Sequence, residues 1–335
     1  MYFTLLLILL AGSTSLLTTD LVRRMFSLQL IDIPNDRSSH LQPTPRGGGL
    51  GFILGFILAT GMALLLSPVV QSDLVNTSQA GLWLSLVPLI GIGILDDRGN
   101  VPARVRYLVQ LSVSILVVVH CGAFPQPWLT ALGNFGNLAA ILLSVIGMTA
   151  LINFYNFMDG LDGLVAGITA IQLGFLAFWF NQPLLWLLVA AICGFLYWNW
   201  SPAKIFMGDV GSTVLGASVA LSLLNQAYDP LKAWSAITIT LPIAADTIYT
   251  LIRRLLRKEN IFQAHRSHLY QRLQQSGWSH SQVATVYMGV TLAIASLIGG
   301  YGGIGVGVSC LSVTLCILLG EVYLYKRYSL SQDPD

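Results

Sequence analysis

The sequence predicts an all-α polytopic membrane protein of about eleven transmembrane helices, forming one integral-membrane domain over residues 1–335. Three observations carry this. Apolar residues make up 55% of the chain and charged residues 10%, against roughly 25% charged in soluble domains. Mean hydropathy is +0.71. Apolar runs of near-spanning length recur along the whole chain, and a helix that crosses a bilayer takes about 20 such residues. This composition excludes a water-soluble globular enzyme, a disordered chain and a collagen-like fibre. The net charge of +2 gives no footing for a nucleic-acid partner.

In chain order the eleven runs are approximately Met1–Thr19, Gly47–Ser67, Gly81–Leu95, Tyr107–Cys121, Phe135–Tyr155, Gly163–Phe180, Leu184–Trp200, Thr213–Ala227, Trp234–Ile252, Val283–Gly300 and Gly305–Tyr325. The first lacks a basic stretch before it and is followed by Arg23 and Arg24, which favours an uncleaved helix over a signal peptide. Counting loops alternately, sixteen basic residues fall on one side and only Lys232 on the other. Positive charge marks the cytoplasmic side, so the N-terminus is expected outside and the C-terminus inside. Cys121, Cys193, Cys310 and Cys316 lie in or beside apolar runs without CxxC spacing and read as small core residues.

The cytoplasmic loops, approximately 20–46, 96–106, 156–163, 199–212 and 253–280, hold the chemistry. Asp96, Asp97, Asp159, Asp162 and Asp209 all fall there, whereas the outer loops keep Asp73 and Asp229. Carboxylates at a membrane boundary are costly unless paired with a cation, so their grouping on one face points to a shared site. In GILDDRGN, Asp96 and Asp97 end the third run, and Arg98, Arg104 and Arg106 follow as candidate phosphate clamps. In NFYNFMDGLDGL, the three-residue spacing of Asn156, Asp159 and Asp162 would bring them onto one helical face. Two unpaired aspartates that close repel, and a divalent cation or Arg partner would relieve them. In NWSPAKIFMGDVGS, Asp209 sits between glycines just before an apolar run, a plausible seat for a metal-bound phosphate. Oxygen donors without a Cys or His cage suit Mg²⁺ or Mn²⁺ rather than zinc.

Two further segments add positive charge. The loop DIPNDRSSHLQPTPRGGGLG brings Arg37, His40 and Arg46 beside the carboxylates. The loop from Arg253 to His280 contains AHRSHLYQRL, which reads as an amphipathic helix on the membrane surface. Ile261, Phe262, Leu269 and Leu273 would face lipid or protein, and His265 and His268 would share a face with Arg266 or Arg272 nearby for phosphate. Taken alone, these features imply handling of a phosphorylated substrate at the cytoplasmic face. A cation- or proton-coupled carrier is the rival class, and Asp246, within the ninth run, is the one residue that suits it.

Five segments, RSSHLQPTPRGGG, LDDRGNVPARVR, NFYNFMDGLDGL, FMGDVGS and HRSHLYQRL, resemble in order the motifs of the polyprenyl-phosphate N-acetylhexosamine-1-phosphate transferases, glycosyltransferase family 4. The resemblance covers nearly the whole chain. It implies a ten- or eleven-helix bundle in the bacterial inner membrane with a cytosolic active site. Its members move a sugar-1-phosphate from a UDP-sugar to undecaprenyl phosphate and release UMP. By motif, Asp209 resembles the principal Mg²⁺ ligand, and Asp96 and Asp97 the acidic pair beside the diphosphate. Asn156, Asp159 and Asp162 match a nucleotide- and metal-side cluster, Asn199 a residue lining the nucleotide pocket, and Phe206 the ring that stacks on uracil. Arg46, His40, Arg106 and Arg266 are expected around the substrates. His265 and His268 fall where the peptidoglycan translocase has three consecutive histidines. The HRSH spelling resembles instead the O-antigen-initiating members, which accept UDP-N-acetylglucosamine or 6-deoxy sugars such as UDP-N-acetylfucosamine. A peptidoglycan-type translocase is the alternative within the family. Membrane lipid is the expected surrounding partner, and a homodimer is compatible with the reading.

Overall fold

The computed structural model describes residues 2–26, 30–34, 39–40, 42–70, 77–99, 101–224, 229–261, 263 and 265–330. Arg37, Asp73 and Phe262, named above, lie outside the described residues. Among the described residues the regular structure is helical apart from one two-residue antiparallel pair. The helices are α1 (Tyr2–Phe26), α2 (Gly49–Val70), α3 (Thr77–Trp83), α4 (Val87–Arg98), α5 (Ala103–Cys121), α6 (Pro127–Thr130) and α7 (Gly133–Met158). They continue as α8 (Leu164–Trp179), α9 (Leu184–Asn199), α10 (Gly208–Leu224), α11 (Pro230–Ile237), α12 (Leu241–Leu256), α13 (Leu269–Gln275) and α14 (His280–Leu330). Strands β1 (Ile31–Asp32) and β2 (Thr44–Pro45) pair Ile31 with Pro45 and Asp32 with Thr44.

Among the described residues, seven helical stretches are long and apolar enough to cross a membrane, and α8, α9 and α10 are shorter apolar helices. The bundle is built around α10, whose residues from Val210 to Leu224 are all buried. It packs against α7, α4, α8 and α2, while α1 packs on α2 and α9. Small residues set these approaches. A side chain on Gly93 of α4 would run into the backbone of Val210, so α4 and α10 can touch there. That contact sits one turn from Asp96 and Asp97.

Two predicted spans are interrupted by proline. Residues 84–86 form a 3-10 turn before α4, with Pro88 in the first turn of the new helix. Residues 238–240 do the same before α12 and Pro242. Proline lacks the N–H that would continue the earlier helix, and its ring crowds the preceding turn. α14 is 51 residues long but breaks at Gly302, which has φ 53° and ψ −125°.

The cysteines differ from the core positions expected of them. Cys193, Cys310 and Cys316 are exposed and Cys121 is half-buried. The reason is the solvent: a thiol behaves as a small hydrophobe, and in a bilayer such a group can sit on the outside of the bundle. The expected amphipathic helix over AHRSHLYQRL is also shorter than predicted. Among its described residues only those within Leu269–Gln275 are helical, and Leu269 and Leu273 are buried against protein. His268 is its N-cap residue and is extended, so His265 and His268 share no helical face.

Candidate active site

The site is assembled by three chain reversals at one end of the bundle. Asp96 and Asp97 lie in the last turn of α4, and Asp209 in the first turn of α10. Asp97 Oδ1 accepts the backbone N–H of Asp209 at 2.9 Å and its Oδ2 that of Val210 at 3.4 Å. The first N–H groups of a helix have no internal partner, so a carboxylate from a neighbouring helix satisfies them. Gly208 makes this possible. Its φ is +75°, and a Cβ there would collide with the Asp97 carboxylate.

Asp209 itself is held from two sides. Asn156 Nδ2 donates to Oδ1 at 3.0 Å, and Arg106 donates to Oδ2 at 3.0 Å. The same Arg106 nitrogen reaches Asp96 Oδ2 at 2.7 Å, while Asp96 Oδ1 accepts from Val101 N–H at 2.9 Å. Arg106, expected to clamp phosphate, therefore bridges two carboxylates in this structure.

Asp159 follows the last residue of α7 and leaves the helix with φ −81° and ψ 58°. The predicted helical face of Asn156, Asp159 and Asp162 therefore ends at Asn156, because the chain turns away through Gly160 and Gly163. Asp159 and Asp162 nonetheless line the same cavity. Asp159 is pushed up to about 8, first by desolvation and then by the charges of Asp209 and Asp97. Asp162 behaves oppositely. Burial acts to raise it, but the hydrogen bond and charge of His280 and the N–H of Ala203 hold it below the usual carboxylate range. His280 Nδ1 lies 3.2 Å from Asp162 Oδ2 and its other ring nitrogen 3.1 Å from the carbonyl of Ser39.

Asn199 is buried and ties two turns together. Its Oδ1 accepts Gly163 N–H at 3.1 Å and its Nδ2 donates to the Ile205 carbonyl at 3.0 Å. Both ends of its amide are thus engaged with backbone, although its surface still borders the cavity. Phe206 packs edge-on to His40 with ring centroids 4.7 Å apart, and its N–H donates to the Pro45 carbonyl at 2.8 Å. Arg46 pairs with Asp32 across the short strand pair at 2.6 Å. Arg266 donates to Ser39 Oγ at 3.2 Å.

These side chains border two cavities. The first, about 320 Å³, is polar and is lined by Asp97, Asp159, Asp162, Arg46, His40 and Phe206 among others. The second, about 730 Å³, is mostly apolar, with Leu89, Ile92, Phe157 and Leu251 beside Asp96, Arg104, Arg106, His265 and His268. Asn156 and Asp209 line both. Tyr107 and Phe157, which line the second cavity, are both exposed.

The histidine loop is anchored by Asp246. This buried carboxylate accepts N–H groups of Leu269 and Tyr270 at 2.9 and 3.1 Å, the Tyr287 hydroxyl at 2.7 Å and the Thr250 hydroxyl at 3.1 Å. His268 Nδ1 lies 3.5 Å from it. With so many partners, Asp246 is a structural anchor, which removes the one residue that suited a carrier. His265 is pushed down to about 4 by burial and by the charges of His268 and Arg254, so it is neutral at physiological pH. It borders the second cavity as a hydrogen-bonding ring and adds no positive charge there.

Asp97, Asp159 and Asp209 supply hard oxygen donors to one polar cavity. Among the described residues, no three His, Cys, Asp or Glu close into a ready-made metal cage. That donor set fits an ion held by one or two carboxylates and otherwise by water and phosphate oxygens, which is the habit of Mg²⁺. Sequence reasoning missed His280, Tyr270 and Asp32. Tyr270 donates to the Phe157 carbonyl at 3.0 Å and packs against Gly160, so it fixes the turn that carries Asp159.

An acidic, arginine-bridged site thus lies between a polar and an apolar cavity at one end of a helical bundle. Comparison with known proteins gives the family. Residues 79–226 match the profile described as Glycosyl transferase family 4. The chain is similar to a probable undecaprenyl-phosphate N-acetylglucosaminyl 1-phosphate transferase of Bacillus subtilis, 32% identical over 85% of this chain and 82% of that one. It is 28% identical to a decaprenyl-phosphate N-acetylglucosaminephosphotransferase of Mycobacterium tuberculosis, over 78% and 74% of the two chains. It is 27% identical to an undecaprenyl-phosphate alpha-N-acetylglucosaminyl 1-phosphate transferase of Salmonella typhi, over 81% and 75%. The chain belongs to glycosyl transferase family 4, the polyprenyl-phosphate N-acetylhexosamine-1-phosphate transferases.

Proposed function

We propose that this protein transfers N-acetylhexosamine-1-phosphate from a UDP-sugar to undecaprenyl phosphate, releasing UMP, as the first step of O-antigen assembly. The observation that carries the reading is the meeting of a polar and an apolar cavity at Asp209 and Asn156. A nucleotide sugar suits the first and a lipid phosphate the second. N-acetylglucosamine is the sugar that the names of the relatives support. The chain crosses the bacterial inner membrane eleven times, with the halves of α14 on either side of Gly302 as separate spans and the site at the cytoplasmic face.

In the reaction, an oxygen of the lipid phosphate attacks the phosphorus that bears the sugar. A new P–O bond forms, the bond to the UMP phosphate breaks, and its electron pair leaves with UMP. A phosphate monoester has a second pKa of about 6, so the nucleophile is already largely a dianion at neutral pH and needs little help from a base. The harder task is to bring two anions together. Two unit charges ~4 Å apart repel by ~4 kcal/mol at an effective dielectric of ~20. Arg46, Arg104 and Arg106 offset part of this, and Phe206 and His40 offer flat surfaces for the base. Asp97 holds the start of α10, so its role in this reading is to build the site. Asp209 and Asp159 would hold Mg²⁺, or Mn²⁺, which supplies charge to the diphosphate and the departing UMP.

The test is UMP release by the purified protein with undecaprenyl phosphate, Mg²⁺ and a panel of UDP-sugars that includes UDP-N-acetylglucosamine and UDP-N-acetylfucosamine. Release with one or more of them is expected, and the best substrate names the sugar. No release with any of them overturns the reading.

A further inference from the structure

Arg106 stands in an unfavourable place for a cation. It lies in the first turns of α5, where the helix dipole disfavours positive charge, and the first turn of α5 carries no acidic residue. What holds it there is external: Asp96 at 2.7 Å and Asp209 at 3.0 Å. Both oxygens of Asp209 are then taken, one by the neutral Asn156 amide and one by Arg106. Of these two partners only Arg106 brings charge. Its side chain is 37% exposed and it lines the apolar cavity, so it can leave Asp209 without unpacking the bundle.

We propose that Arg106 is a displaceable internal counter-ion. It occupies Asp209 while the site is empty, gives way when a divalent cation arrives, and is then released toward the phosphate of the lipid acceptor in the second cavity. The proposal rests on the reading that Asp209 receives the cation. It makes loading of the two cavities cooperative, since the cation on one side of Asp209 frees the guanidinium that the other side needs.

The test is Mn²⁺ binding, followed by electron paramagnetic resonance, to the full-length protein in micelles without nucleotide or lipid. R106Q is expected to bind Mn²⁺ about tenfold more tightly than wild type, because a competing charge is gone, while R106K stays near wild type. In a second arm, binding of undecaprenyl phosphate is measured with and without Mn²⁺, with unphosphorylated undecaprenol as control. Mn²⁺ should strengthen phosphate binding in wild type and lose that effect in R106Q. Unchanged or weaker Mn²⁺ binding by R106Q, or an Mn²⁺ effect on the lipid that survives in R106Q, overturns the proposal. D209N separates the two readings. If it leaves Mn²⁺ binding intact, the cation is not on Asp209 and both fail. If D209N abolishes binding while R106Q does not tighten it, only the counter-ion proposal fails.

Discussion

At the scale of single residues, the proposed cation site makes protonation and metal occupancy of Asp159 compete. With its carboxyl pushed up to about 8, it carries a proton at neutral pH in the metal-free protein. A cation seated there displaces that proton, so apparent affinity should rise with pH, at most about tenfold per unit, and level off above the folded value. Mn²⁺ titrations between pH 6 and 9 check this, and D159N is expected to bind more weakly with a shallower profile, because Asp209 is itself pushed up to about 7 by burial and by Asp96 and Asp97. Asp162 has the opposite sign. Its folded value is depressed, so its pairing stabilises the protein above the ordinary carboxylate range and is lost as pH falls through the folded value. H280A and D162N should each cost about 1–3 kcal/mol in thermal unfolding, and the double variant little more than either alone. The acidic set is legible in the sequence because aspartates grouped in glycine-rich or otherwise polar breaks at a membrane boundary have few inexpensive explanations. His280 is not legible, since its contact with Asp162 spans 118 positions and no spacing rule reaches that far.

Helices and turns carry the next level of specification. The start of α10 depends on Gly208, where the left-handed backbone and the Asp97 carboxylate leave no room for a side chain. G208A should lose about 1–2 kcal/mol from backbone conformation alone and should displace Asp97 as well. Activity should therefore fall much further than the thermal midpoint, and UMP release compared with thermal unfolding separates the two. Asp246 joins α12 to α13 and α14 through its four hydrogen-bond donors. D246A would leave several of these buried groups unpaired, at about 3 kcal/mol or more, and D246N, which keeps one acceptor, should cost less. The apolar runs are legible because hydropathy is a local property, whereas the 3-10 turns inside two of them, before Pro88 and Pro242, interrupt spans that hydropathy reads as continuous. The shortness of α13 is not legible, because the Asp246 contacts that stop the helix at His268 come from another element. The same holds for Asn199, whose polar position is visible in the sequence but whose backbone partners are set by the fold.

For the whole molecule, the decisive property is sidedness. Among the described residues, seven long apolar helices and three shorter ones make a multi-pass bundle, but a bundle can be inserted either way up. The basic residues break that symmetry. In the proposed eleven-span arrangement sixteen of them lie in alternate loops and Lys232 alone lies opposite, and bias in short loops close to span ends sets orientation. The carboxylates that border the two cavities fall on the same side as the sixteen. Insertion in the reverse sense would leave this arginine- and aspartate-rich face outside, away from soluble nucleotide sugars. The proposed eleven crossings put the two termini on opposite sides, whereas an even number would put them on the same side. The expected outcome is that a fluorescent reporter fused after Asp335 matures in the cytoplasm, while a phosphatase that is active only in the periplasm stays silent there and works when fused before Met1. Equal behaviour of the two ends would exclude the eleven-span arrangement. Inverted signals at both ends would place Asp97, Asp159 and Asp209 outside the cell, and the proposed use of a UDP-sugar would fail with them.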